Sequence, residues 1–103
     1  MGLLSRRGST TSPSQKIEKD VPIINRLGLH ARPAAMFVRI ASRFRAEIWV
    51  SKEGEEVNGK SIMGLMMLAA GPGSKLLLLA EGEDAPRAVL ELEALVKRNF
   101  DEE

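Results

Sequence analysis

Reactive side chains converge on residues 28–33, Gly-Leu-His-Ala-Arg-Pro. His30 is the only histidine in the chain, and there is no cysteine. A lone imidazole without thiolate partners argues against a transition-metal site, so no metal is expected. Without cysteine there is no disulfide or thiol chemistry, which permits a reducing, cytoplasmic setting. The imidazole itself remains. A neutral ring nitrogen carries a lone pair and can act as a nucleophile. Arg32, two residues on, adds a planar guanidinium suited to phosphate. Pro33 fits only the first turn of a helix, where its missing N–H loses nothing. His30 then stands at a helix mouth, where unpaired N–H groups and a partial positive charge favour an anion. No general base or triad for hydrolysis accompanies it. The constellation suits a transient phosphohistidine steadied by Arg32 and the helix end, with no cofactor.

Other groups are less reactive. Ser61 opens the stretch Gly-Lys-Ser-Ile-Met-Gly-Leu-Met-Met-Leu and reads as a helix N-cap. Ile62, Met63 and Met66 follow it at i, i+1 and i+4. Such spacing also suits a core stripe, but a short helix containing Gly64 has a weak one. Methionine adapts well to surfaces that meet several partners. Arg39 belongs on the solvent side of the first helix, either simply solvated or facing an acidic partner.

The elements that must position these residues follow from pattern. Val21, Ile23 and Ile24 suggest a strand, with Pro22 near an edge or a strand start. Phe37, Ile40, Ala41 and Phe44 form one apolar stripe of a helix that starts between His30 and Arg32. Ala46, Ile48 and Val50 alternate with Glu47, Trp49 and Ser51, which is a half-buried strand. A turn through 52–56 and a short return strand over 56–58 complete a hairpin. Ser61 opens the second helix, and the Gly-Pro-Gly-Ser run at 71–74 lies beyond it. The short run from Lys75 to Gly82 is a strand. A last helix runs from Asp84 to Phe100, capped by Asp84, with Pro86 in its first turn and Val89, Leu92 and Val96 on its inner stripe. The order β-α-β-β-α-β-α predicts an α+β domain, a sheet with its helices on one face.

Composition narrows the partners. The 103 residues carry 15 basic and 14 acidic side chains, a net charge of +1, which gives no drive toward nucleic acid. Apolar runs such as Leu76–Ala80 fall far short of the roughly 20 residues a spanning helix needs, so no membrane insertion is expected. Residues 1–16 read as a Ser/Thr-rich, slightly basic disordered tail. A domain covers 17–100, and 101–103 form an acidic end.

The stretch Gly-Leu-His-Ala-Arg-Pro-Ala-Ala-Met-Phe-Val resembles the active-site signature of HPr. HPr is the histidine-containing phosphocarrier family of the bacterial phosphoenolpyruvate:sugar phosphotransferase system. The Ser61 segment and Glu-Gly-Glu-Asp-Ala at 81–85 resemble the same family, in order, over about Lys16 to Phe100. The resemblance implies an open-faced β-sandwich with a four-stranded antiparallel sheet and three helices. It implies that His30 accepts a phosphoryl group on Nδ1 from phospho-enzyme I and passes it to an enzyme IIA domain. Arg32 would steady the group, and the patch of Ile62, Met63 and Met66 would meet partners. Ser61 would be a regulatory site for HPr kinase/phosphorylase. The protein would be a monomeric relay rather than a free-standing enzyme.

Three rival readings arise. An RNA-binding β-α-β-β-α-β module lacks a stacking platform, because there is no tyrosine and two of the four aromatics lie in a helix stripe. Binding-only regulatory relatives lose the histidine, which is intact here. A nitrogen-related or purely regulatory phosphotransferase branch, without sugar uptake, would use the same residues.

Overall fold

The computed structural model describes residues 15–24 and 27–101. Its elements are β1 (Lys16–Pro22), α1 (Ala31–Ala41), β2 (Glu47–Lys52), β3 (Glu55–Asn58), α2 (Ile62–Met67), β4 (Lys75–Glu81) and α3 (Ala85–Lys97). The strands form one sheet in the order β1-β4-β2-β3, every neighbouring pair antiparallel. Pro22 closes the edge strand β1 opposite Lys75, where its missing N–H costs no central ladder bond.

One face of the sheet is buried and the other is open. Leu76, Leu78 and Ala80 of β4 are fully buried, while Leu77 and Leu79 between them are only partly so. Ile48 and Val50 stand beside Ala80 and Leu78 in register. The helices close over this face, and Phe37, Leu65, Leu92 and Leu95 complete the core. The continuous leucines of residues 76–79 thus belong to a strand. Their burial alternates with a period of two, which decides against helix.

Element ends differ from the sequence expectation. α1 stops at Ala41, and Phe44 lies beyond it in a turn, yet stays buried and completes the stripe. α2 spans six residues. α3 stops at Lys97, and Asn99, Phe100 and Asp101 form a separate turn, all with positive φ. Phe100 anchors that turn in the core. Of the expected tail, Lys16 already pairs with Glu81, and the Gln15 carbonyl accepts from Gly82 N–H. Residues 1–14, and 102 and 103 of the acidic end, lie outside the described residues. No helix among the described residues is long and apolar enough to cross a membrane.

Asp84 corrects a second expectation. It occupies the N-cap position of α3, but its side chain makes no cap bond there. The carboxylate instead accepts from Arg45 N–H and Ala46 N–H, both at 2.9 Å. It therefore ties the α1–β2 turn to the start of α3. The Arg45 bond, then those of Ala46 and its own backbone, with nearby Lys60, hold the carboxyl below its ordinary value against the opposing effect of burial. A depressed carboxyl pKa stabilises the fold above the unfolded value near 3.8, and that contribution is lost as pH falls through the folded value. Asp84→Asn should therefore lower the thermal midpoint by several degrees at neutral pH. The gap to wild type should close at acid pH. Melting curves across that range check it, and a gap independent of pH would contradict it.

Candidate functional site

The loop before α1 places His30 by backbone contacts. Gly28 is buried with φ +70, and a Cβ there would lie 2.4 Å from the Ala70 carbonyl oxygen and 2.7 Å from Gly71 Cα. Only glycine permits both that backbone conformation and that approach. The next residue, Leu29, donates its N–H to the Ala70 carbonyl at 2.8 Å. The segment entering α1 is thereby fastened to the segment leaving α2.

His30 is the N-cap residue of α1, in extended conformation, and its ring makes no cap bond. Its carbonyl accepts from Ala34 N–H at 3.0 Å, the first turn of the helix. The residue is partly exposed, but Nε2 is buried. The N–H groups of Ala31 and Arg32 begin the helix with no carbonyl behind them in the same helix. Pro33, third in α1, is buried and has no N–H to leave unpaired. The helix mouth offers donors and a partial positive charge to an anion beside the ring.

Arg32 lies in this first turn, exposed, and pairs with no carboxylate of the described residues. Arg39 is exposed in the last turn of α1, about two helical turns away by sequence spacing. The ion pairs Lys19–Glu93 and Lys97–Glu93 lie on β1 and α3 instead. Among the described residues no cluster of ligating side chains could hold a metal ion.

Ser61 caps α2. Its Oγ accepts from Gly64 N–H at 2.9 Å, and its carbonyl accepts from Leu65 N–H. α2 sends Leu65 into the core and leaves Ile62, Met63, Met66 and Met67 exposed around one shallow apolar groove. Met63 is 74% exposed, so a core role is ruled out. Met67 belongs to the same patch and was missed from the sequence. The available signal was length: a helix of six residues cannot bury two sides. α1 packs directly on α2. No sequence signal pointed to Ala70, because its link to Leu29 spans distant parts of the chain.

The family described as "PTS HPr component phosphorylation site" matches residues 17–98. The chain is 49% identical over 82 residues to the HPr-like protein Crh of Halalkalibacterium halodurans, covering 80% of this chain and 98% of that protein. It is 46% identical over 86 residues to phosphocarrier protein HPr of Neisseria meningitidis serogroup A, covering 84% and 97%. Its fold superposes on the crystal structure of a Thermoanaerobacter tengcongensis HPr with TM-score 0.81 and 47% identity, covering 84% of this chain and 98% of that one. An HPr dimer from the same organism gives TM-score 0.68 at 48% identity, covering 80% and 94%.

Proposed function

The chain belongs to the HPr family of phosphocarriers, and from that premise we propose that His30 carries the phosphoryl group. The N–P bond of a phosphohistidine on enzyme I breaks as a new bond forms to His30 Nδ1. The same bond then breaks when a histidine on an enzyme IIA domain attacks phosphorus. The protein ends each cycle unchanged.

The observation that carries this reading is the placement of His30. It stands at the N-terminus of α1 with Nε2 buried, which supports Nδ1 as the attacking atom. The transferring group would develop its charge beside the helix mouth and Arg32. Fixed donors of this kind favour phosphoryl transfer by positioning and electrostatics. The groove formed by Ile62, Met63, Met66 and Met67 offers the apolar contact that lets several partners dock, and Arg39 offers charge toward acidic ones. The working unit is the monomer, although a relative has been crystallised as a dimer.

The test is the complete relay. Phosphoenolpyruvate, enzyme I, this protein and an enzyme IIA domain are mixed, and phosphate on the IIA domain is followed. Transfer should require this protein, and transfer at equal rate without it would defeat the reading. Arg32→Ala should slow transfer several-fold in at least one direction, since the nucleophile stays while a nearby charge is lost. Rapid-quench kinetics in both directions check this, and unchanged rates would leave Arg32 as a surface residue.

The relatives include proteins named HPr-like protein Crh as well as HPr, and a second reading keeps the same relay in a regulatory branch without sugar uptake. Ser61 would then matter most, as a site for HPr kinase/phosphorylase. Incubation with that kinase and ATP should place an acid-stable phosphate on Ser61 under this reading.

A further inference from the structure

The turn that leaves α2 adopts an unfavourable conformation, and it supports the backbone next to His30. Ala69 has φ +51, a region that a residue with a Cβ enters at a cost. Something must hold it there. Lys52, the last residue of β2, sends its ammonium onto the carbonyls of Leu68 at 3.2 Å and Ala69 at 3.3 Å. These carbonyls lie at the end of α2, where helical partners have run out. A cation donating to both is a charge-assisted clamp. The following carbonyl, Ala70, is the one that accepts Leu29 N–H at 2.8 Å and against which Gly28 packs. Leu29 adjoins His30.

We infer that Lys52 is a positioning residue for His30, acting through the Leu68–Ala70 turn. This rests on the proposed role of His30 as phosphoryl carrier. Lys52 lies on a different element from His30 and does not touch the reacting atoms. It fixes the Ala69 conformation, which fixes the direction of the Ala70 carbonyl, which in turn fixes Leu29. Without the ammonium, the two carbonyls turn toward water and Ala69 relaxes out of the left-handed region. The Leu29 N–H then loses its partner. The imidazole drifts from the geometry that transfer requires, and small misplacements of a reacting group are expensive in rate.

The experiment uses the full chain and compares wild type with Lys52→Met, Lys52→Arg and the double variant Lys52→Met/Ala69→Gly. Two quantities are read. One is amide hydrogen-exchange protection at Leu29, which does not depend on function. The other is the rate at which phospho-enzyme I phosphorylates His30. Lys52→Met should lower Leu29 protection by about tenfold or more and slow phosphorylation several-fold, with core amides such as Leu78 still protected. Lys52→Arg should restore both, because a guanidinium also donates to two carbonyls. Ala69→Gly should restore both in the Met background, because glycine occupies the left-handed region without the Cβ penalty. Unchanged Leu29 protection in Lys52→Met would overturn the inference. So would lost protection with an unchanged transfer rate. If wild type itself takes no phosphate while Lys52→Met still loosens Leu29, the carrier reading fails and the link from Lys52 to the loop stands.

Discussion

His30→Ala will accept no phosphoryl group from phospho-enzyme I and will fold as the wild type does. The loss is expected to be complete because the chain has no second imidazole to substitute. Arg32 and the helix mouth can stabilise a phosphoryl group, but neither can form the bond. The fold should survive because His30 is only partly buried, lies outside the apolar core and makes no cap bond with its side chain. The backbone bonds that seat the loop, from Leu29 N–H to Ala70 and from Ala34 N–H to the His30 carbonyl, do not use the ring. Alanine is a poorer N-cap than the strong cappers, but histidine is not using its side chain as one here. Intact-mass measurement after incubation with enzyme I and phosphoenolpyruvate checks the first half, and a melting curve the second. An acid-labile phosphate on the mutant would remove His30 from its assigned role.

Ser61→Asp will raise the apparent KM for phosphorylation by enzyme I by about tenfold or more, while leaving the thermal midpoint near that of wild type. Ser61 Oγ accepts from Gly64 N–H, and an aspartate carboxylate accepts in the same way, so the cap is kept. Its charge also sits well at a helix start. The penalty falls on association instead. Ser61 adjoins Ile62 and Met63, both exposed in the apolar groove. Enzyme I arrives carrying a phosphohistidine, so two negative groups approach across a partly desolvated contact. Like charges repel in inverse proportion to their separation, and more strongly near a protein surface than in bulk water. Each ~1.4 kcal/mol corresponds to about tenfold in affinity. Salt should narrow the gap as the repulsion is screened. Ser61→Ala separates the two effects. It should lose about 1 kcal/mol of stability with the cap, yet keep the wild-type KM. Steady-state kinetics at low and moderate salt decide this. An unchanged KM in Ser61→Asp would leave Ser61 as a helix cap alone.

Much of this site was legible in the sequence because its parts are local. Pro33 permits only a first-turn position, so the start of α1 and the exposure of a helix mouth at His30 followed from one residue type. Ser61 at a helix N-cap is equally local. The strand Lys75–Glu81 was harder, since four successive leucines carry no period, and length together with the flanking glycines decided it. What was not legible depends on distant contacts. Asp84 looks like the cap of α3, but the free N–H groups of Arg45 and Ala46 compete for its carboxylate and win. Gly28 reads as a loop glycine, and nothing nearby in sequence announces that the Ala70 carbonyl presses against it. Lys52 reads as a solvated hairpin lysine until the end of α2 is placed above it. Met67 itself carries no sequence signal of its exposure, because burial on a short helix is set by what packs against it, and here Leu65 alone of its six residues is buried.

The claim at the centre of this account is that His30 Nδ1 carries phosphate. Its most direct test is to incubate the intact chain with phosphoenolpyruvate and enzyme I, then determine the amount, site and lability of bound phosphate. Tandem mass spectrometry locates the group, and phosphorus and nitrogen NMR identify the ring atom. The account predicts one phosphoryl group per chain, labile in acid, on Nδ1 of His30. No phosphate, an acid-stable phosphate on a hydroxyl group, or a phosphoryl group on Nε2 would contradict it.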